Sequence, residues 1–219
     1  MLNKADILIE QRNFPDAASQ LNVVYATWSD KPFDLLRLSK IQRSALDLEG
    51  AERSIKRAIE LNPKWEQAHA EFIRFLIEQS KLESAKEKLA TYSDMFGENA
   101  NYLMLQGDMA LAQNEIEKAF TYYLKSHQSM TNFHLPLLKL YVIAQQNQQY
   151  RSKFINYIRK FMSQDSQSVL VKQILADALM LDKQYDEAER IYTVLLDEEK
   201  LSQRAFILNN MANIYINKD

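Results

Sequence analysis

The chain has no cysteine, which excludes disulfides, thiolate metal sites and cysteine nucleophiles but fits a reduced cytosol and a bridge-free periplasm equally well. Glycine occurs three times and proline four times in 219 residues, far below average usage of about 7% and 5%. Little material is left for hairpin turns, strand bulges or phosphate-cradling loops. Long hydrophobic runs are also missing: the most apolar stretch, Leu135 to Ala144, is broken by Pro136 and Lys139 and falls short of the roughly 20 residues of a membrane span. The opening Met1-Leu2-Asn3-Lys4-Ala5-Asp6 shows no basic start, apolar stretch or small-residue cleavage site, so no secretory signal is visible. Charge of one sign does not accumulate either. With 27 basic and 29 acidic residues the net charge is -2, too small for a global field that would attract nucleic acid or an anionic membrane. What remains, 47% hydrophobic and 26% charged, reads as an ordinary all-helical chain.

A period organises that chain. Phe14-Pro15-Asp16-Ala17, Leu48-Glu49-Gly50-Ala51, Leu82-Glu83-Ser84-Ala85 and Ile116-Glu117-Lys118-Ala119 each place a large apolar residue three positions before an alanine, and successive alanines are 34 residues apart. Tyr185-Asp186-Glu187-Ala188 comes two periods plus one residue after Ala119. The unit between them is read as Tyr150-Arg151-Ser152-Lys153, with lysine in the alanine slot. Buried lysine is costly, so its ammonium is expected to turn to solvent while that helix pair spreads. Four residues after each slot stand Leu21, Ile55, Leu89, Tyr123, Tyr157 and Tyr192, and twelve residues before it Ala5, Ser39, Ile73, Gly107, Tyr141 and Ala176. Each unit is therefore a pair of helices with small residues at their contact.

These residues resemble the tetratricopeptide repeat (TPR) family, whose 34-residue unit reads W-x2-L-G-x2-Y, then A-x3-F, then P. Leu103, Gly107, Ala119 and Tyr123 follow it in one unit, Ala51, Ile55, Ala58 and Pro63 in another, Ala176, Leu179, Ala188 and Tyr192 in a third. Leu208, Met211, Ala212 and Tyr215 match the first helix of a last unit. The family tryptophan is absent and only Pro63 holds the terminal proline place. The resemblance implies an all-α right-handed superhelix of about six and a half helix-turn-helix repeats over residues 1-219. Repeats are placed at about 1-31, 32-65, 66-99, 100-133, 134-168 and 169-204, with a lone first helix at 205-219. The helices are expected at 2-12, 15-28, 32-46, 48-61, 65-79, 82-95, 100-113, 116-129, 134-146, 150-163, 168-181, 185-198 and 202-217. Asn13 and Asp30 are read as caps before first-turn prolines, Asn62-Pro63 as a helix end, and Gln145-Gln146-Asn147-Gln148-Gln149 as a polar turn. Both ends cut the repeat frame, so the sequence is expected to be a fragment of a longer repeat protein, and its incompletely capped ends leave homo-oligomerisation open.

Signatures of chemistry are sparse. His69, His127 and His134 contain no pair at i, i+4 spacing, so no metal site is expected, although His127 and His134 flank a turn and could meet. Asp186, Glu187 and Glu189 start a helix, and Asp197, Glu198 and Glu199 end one; both sets read as solvated structure without a matching base or nucleophile. G-x-S-x-G and G-x-x-x-x-G-K are absent, and no catalytic residue or cofactor is expected.

The candidate surface is the concave groove, which in TPR arrays is lined by the first helix of each pair. In that frame the residues are Arg37, Lys40, Arg43 and Arg74, then Met104, Leu105, Leu111, Leu138 and Val142, and finally Asn209 and Asn213. Asp34, Glu71 and Glu78 stand close enough to neutralise the basic group, and the apolar group competes with a core assignment. The lysine and asparagine set with which some TPR domains grip a C-terminal carboxylate cannot be placed in consecutive first helices. The resemblance implies a non-enzymatic scaffold for a protein or peptide partner, with no nucleic acid and no direct membrane insertion. A substrate-recognition or regulatory arm of a larger enzyme, such as a glycosyltransferase, is the alternative. Leu105 to Gln113 and Leu208 to Tyr215 further look like the TPR lipoproteins of bacterial exosortase (PEP-CTERM) systems, which would imply a periplasmic, membrane-anchored parent linked to protein sorting and exopolysaccharide production; otherwise the cytoplasm fits.

Overall fold

The computed structural model describes residues 2-163, 168-197 and 204-218. Thirteen α-helices and no strand occur among them: α1 (Leu2–Glu10), α2 (Phe14–Trp28), α3 (Pro32–Ser44), α4 (Leu48–Leu61), α5 (Glu66–Glu78), α6 (Leu82–Phe96), α7 (Ala100–Ala112), α8 (Ile116–Ser129), α9 (Leu135–Gln146), α10 (Gln148–Met162), α11 (Val169–Leu181), α12 (Tyr185–Leu196) and α13 (Arg204–Lys218). The all-α, paired-helix expectation holds. Two compact units are present, residues 1-122 and 123-219. In the first, α1 packs on α2, α3 on α4 and α5 on α6, with α7 against α5. In the second, α9 packs on α10 and on α11, and α12 lies between α11 and α13.

The periodic small residues sit where helices touch. Ala17, Ala51, Ala85, Ala119 and Ala188 are all fully buried. One turn on, Leu21, Ile55, Leu89, Tyr123 and Tyr192 are buried, and two turns on, Val24, Ala58, Tyr92, Ser126 and Leu195. This i, i+4, i+7 stripe is the core face of each second helix.

The turn inside each pair is equally periodic. Arg12, Leu46, Ser80, Asn114 and Lys183 have φ between 56 and 61°, and the first four are 34 residues apart. Each is followed by a residue whose N–H returns to a first-helix carbonyl: Asn13 to Leu8 at 2.8 Å, Asp47 to Gln42, Lys81 to Leu76 and Gln184 to Leu179 at 2.9 Å, and Glu115 to Ala110 at 2.8 Å. This is the Schellman closure, which satisfies carbonyls that the helix end leaves bare. It explains why α1, α3, α5 and α7 end one to two residues before the expected limits, while α11 ends at the expected Leu181: the left-handed residue stops the helix.

The pair α9–α10 differs. Its turn is the single residue Asn147, extended at φ -141° and ψ 120°, with its side-chain oxygen accepting from the Gln149 N–H at 2.9 Å. Most of the expected polar turn is thus helical. The Arg151 guanidinium replaces the missing backbone closure, donating from Nε to the Ala144 carbonyl at 3.1 Å and from Nη2 to that of Gln145 at 3.0 Å. Its third bond runs from Nη1 to the Leu181 carbonyl at the end of α11.

The register of α10 corrects the lysine assignment. The buried residues of α10 are Tyr150, Phe154, Ile155, Ile158 and Phe161; Lys153 is not among them, and Phe154, Ile158 and Phe161 repeat the i, i+4, i+7 pattern, so we assign the alanine slot to Phe154. The extra residue lies between Ala119 and Phe154 instead of between α10 and α12. Lys153 is exposed because it stands off the stripe, and its ammonium lies 5.1 Å from the Tyr150 ring centroid. The contact is aromatic: the Tyr141 and Phe154 rings are 6.0 Å apart, where other pairs use at least one small residue.

Two cap expectations part company. Asn13 caps α2, accepting from the Asp16 N–H at 3.4 Å. At α3 the cap position belongs to Lys31, which supplies no side-chain bond, so Asp30 is one residue too early. Asn62 ends α4 as expected.

Candidate functional site

Residues equivalent in the repeat line one surface across the first helices of each unit. In the first unit Lys40, Arg74 and Asp108 occupy the same register of α3, α5 and α7. Arg74 Nε stands 3.8 Å from Asp108 Oδ2, and its Nη1 donates to Glu71 at 3.1 Å. Lys40 Nζ lies 3.7 Å from Glu71, while Arg43 reaches Glu78 at 2.8 Å and Glu71 at 3.8 Å. Glu71 and Asp108 are the buried centre, with side chains 13% and 9% exposed. The basic group is therefore a cross-neutralised ladder in which Lys40, Arg43 and Arg74 already face carboxylates. Arg37 is exposed and forms no ion pair among the described residues. Glu71 and Glu78 were visible as neutralisers in the sequence; Asp108 was missed, although it follows Arg74 by one 34-residue period.

The apolar candidates separate by burial. Met104 and Leu105 are 1% and 0% exposed and belong to the core, so they cannot contact a partner. A first helix buries two faces, one on its own second helix and one on the preceding pair, and Leu105 packs on the α5–α6 side with Ile73, Leu89 and Tyr92. Leu111 is half-buried. Leu138 and Val142 are on the surface of α9. Asn209 and Asn213 are exposed on α13, while the neighbouring Asn210 is buried.

Asn210 belongs to a buried polar cluster that gave no signal in the sequence. Asp177 Oδ1 accepts from the Tyr192 hydroxyl and from Asn210 Nδ2 at 3.1 Å, and Asn210 also donates to the Tyr192 oxygen at 3.1 Å. Burial pushes the Asp177 carboxyl above its ordinary range, against the opposing pull of these two donors. Tyr141 is pushed up to about 12, first by burial and then by the Asp177 charge. In the first unit a single Glu66 oxygen accepts from Tyr92, Asn99 and Asn101 at 2.5, 3.0 and 2.9 Å. Burial opposes ionisation there, but the three bonds outweigh it and hold the carboxyl below its usual value. Both carboxylates are locked by neighbours and serve as ties between helices.

The histidines do meet. His127 is fully buried, its ring 6.4 Å from that of His134 and 4.9 Å from that of Phe161, with Nδ1 2.6 Å from the Tyr157 hydroxyl. His127 Nε2 and His134 Nδ1 have no hydrogen-bond partner among the described residues. Two imidazoles make an incomplete ligand set, and no group of three metal-ligating side chains occurs among the described residues. Asp186 and Glu187 occupy the first turn of α12, as expected; Glu198 and Glu199 lie outside the described residues. No helix among the described residues is long and apolar enough to cross a membrane.

Comparison with known proteins accords with this architecture. Residues 71-131 match the tetratricopeptide repeat family model. No curated protein sequence matches the chain. Among solved structures, a tetratricopeptide repeat protein from Parabacteroides merdae is 21% identical with a TM-score of 0.54, over 84% of this chain and 72% of that one. A thermophilic TPR protein of Thermus thermophilus is 14% identical with a TM-score of 0.55, over 84% and 99%. PilW, a type IV pilus biogenesis factor, is 11% identical with a TM-score of 0.57, over 97% and 96%. At these identities the likeness is one of fold.

Proposed function

Since the chain is a tetratricopeptide-repeat protein, we propose that it is a non-enzymatic scaffold that holds a protein or peptide segment on the first-helix faces of its two units. The observation that carries this reading is the shared register of side chains on successive first helices: Lys40 on α3 with Arg74 on α5, Arg43 on α3 with Leu111 on α7, and Leu138 and Val142 on α9 with Asn209 and Asn213 on α13, the exposed Arg37 standing one turn before Lys40. Periodic presentation of side chains along successive helices suits a partner that crosses them. The reading without chemistry is supported by the carboxylates: one oxygen of Glu66 takes the Tyr92, Asn99 and Asn101 donors and one oxygen of Asp177 takes the Tyr192 and Asn210 donors, so each is engaged in tying helices together.

A place in a bacterial exosortase system rests on the residue resemblance of α7 and α13 alone. The general reading is tested by a photo-reactive amino acid placed singly at Arg37, Val142 or Ser152, followed by cross-linking in cells of the source organism. Adducts from positions 37 or 142 and none from the second-helix position 152 are expected. Adducts from position 152 alone would move the site to the other face and overturn the reading.

A further inference from the structure

In the second unit the first-helix face has a pattern across three helices that defines what it can hold. Equivalent positions run Leu135, Leu170, Phe206 in one row and Leu138, Gln173, Asn209 in the next. The third row is Val142, Asp177, Asn213, and the fourth Gln145, Met180, Ile216. The outer rows hold the exposed Leu135, Phe206 and Ile216, and on α9 the inner rows add the exposed Leu138 and Val142. On α11 and α13 the inner rows hold the carboxamides of Gln173, Asn209 and Asn213. The only ionisable group in the four rows is Asp177, buried and already bonded to Tyr192 and Asn210. The corresponding face of the first unit is the opposite, a ladder of cations and carboxylates paired with one another.

From this pattern we infer that the second unit's first-helix face binds an extended, uncharged, predominantly apolar segment of about six residues. The inference rests on the scaffold reading above and names its ligand class. Neighbouring first helices are about 10 Å apart, so a path over α9, α11 and α13 is about 20 Å, or six residues of extended chain. Successive side chains of such a chain point to opposite sides, which brings them alternately onto the Leu135–Leu170–Phe206 row and the Met180–Ile216 row. The backbone between them lies over Gln173, Asn209 and Asn213, whose amides both donate and accept. An extended segment has unpaired N–H and C=O groups for these amides, whereas a helix has spent its own and would leave them without partners. A carboxylate arriving at this face would meet Asp177, and either sign of charge would lose water against the apolar rows.

The test is selection of a random twelve-residue display library on the full chain, then anisotropy titration of the synthesised consensus at 50 and 500 mM salt. Enriched sequences should share an uncharged run of five to seven residues, mostly apolar, with affinity changing less than twofold between the two salt concentrations. Val142→Asp and Ile216→Asp should each weaken binding at least tenfold and Asn213→Ala about fivefold, with Ser152→Glu on the second-helix side of α10 leaving it unchanged. Both acidic substitutions fall on surface positions, and an unaltered melting temperature of Ile216→Asp guards against a folding artefact. Acidic, salt-sensitive consensus peptides lost with Arg37→Glu, or lysine-bearing ones lost with Asp177→Asn, would overturn the inference and leave the scaffold reading standing. A consensus indifferent to every first-helix substitution, or no enrichment at all, would overturn both.

Discussion

The two helix pairs α9–α10 and α11–α12 lie in the same unit and close in different ways. In α11–α12 two alanines, Ala176 and Ala188, are fully buried at the contact, and Lys183 takes the left-handed conformation that lets Gln184 return its N–H to Leu179. In α9–α10 two aromatic rings take the small-residue positions, the left-handed residue is gone, and Arg151 binds the carbonyls the backbone no longer reaches. The difference shows that a helical hairpin needs its bare carbonyls satisfied and its contact filled, while the device is free to change. A backbone closure is insensitive to side-chain identity. A side-chain closure concentrates the same duty on one residue.

The sharpest way to break the comparison is at the contact. Phe154 is fully buried, and Phe154→Ala should cost about 3–5 kcal/mol in denaturant unfolding, as a large-to-small core change that leaves a cavity. Installing the same small residue that serves α12 would thus fail in α10. The reverse change, Ala188→Phe, should cost about 1–3 kcal/mol by overpacking. If Phe154→Ala were neutral, the small-residue contact would be available to both pairs and Phe154 would not hold the alanine slot of α10.

Next in size is the clamp. Replacing Arg151 with methionine keeps its apolar stem and removes three charge-assisted bonds to carbonyls, with an expected loss of about 2–3 kcal/mol, moderated by water reaching the turn. Arg151→Lys should recover less than half, since an ammonium cannot present the planar fork that spans two helix ends. Equal stability of wild type and Arg151→Met by urea denaturation would show that solvent satisfies those carbonyls alone.

What the sequence revealed follows from these contacts. The period was legible because Ala17, Ala51, Ala85 and Ala119 are forced to be small by their partners, and it faded where Tyr141 and Phe154 substitute bulk for closeness. Locating the one-residue insertion required the burial of Phe154, since Lys153 and Phe154 are adjacent and either spacing to Ala188 was admissible. Caps were legible where a side chain acts locally, as at Asn13, and misplaced where none acts, as at Lys31. The face of Met104 and Leu105 was not legible because a first helix has two buried stripes flanking its exposed one, so an apolar residue at a stripe edge fits either. The charge ladder could have been found: Lys40, Arg74 and Asp108 share a register, which puts unlike charges on neighbouring helices.

A pH effect distinguishes the packing around α10 from that around α12. His127 is held below the ordinary histidine value of 6.5, first by burial and then by its neighbour His134, with the Thr131 carbonyl partly offsetting them. The unfolded chain therefore takes up the proton before the folded one does. Stability should be constant above about pH 7, decline as pH falls through 6.5, and stop declining from this source once the folded His127 titrates. His127→Gln should lose that slope whatever its effect on stability at pH 8. A slope between pH 7 and 5.5 that survives the substitution would place its origin elsewhere.

The smallest effect is the most specific to the turns. Lys183 has φ 61°, a conformation that costs an L-residue about 1–2 kcal/mol and glycine almost nothing. Glycine also loses more backbone freedom on folding, by about 0.5–1 kcal/mol, so Lys183→Gly should stabilise by a few tenths to about 1 kcal/mol, visible as a higher urea midpoint at unchanged slope. Asn147 has φ -141° and caps α10 through its side chain, so Asn147→Gly relieves no strain and removes the cap bond to Gln149. It should destabilise by a few tenths of a kcal/mol, the usual cost of glycine at a cap. The two substitutions, the same residue introduced at turns of the same unit, should shift the midpoint in opposite directions. A gain at both would mean that the α9–α10 turn is strained after all and that Arg151 holds it against that strain instead of standing in for a missing closure.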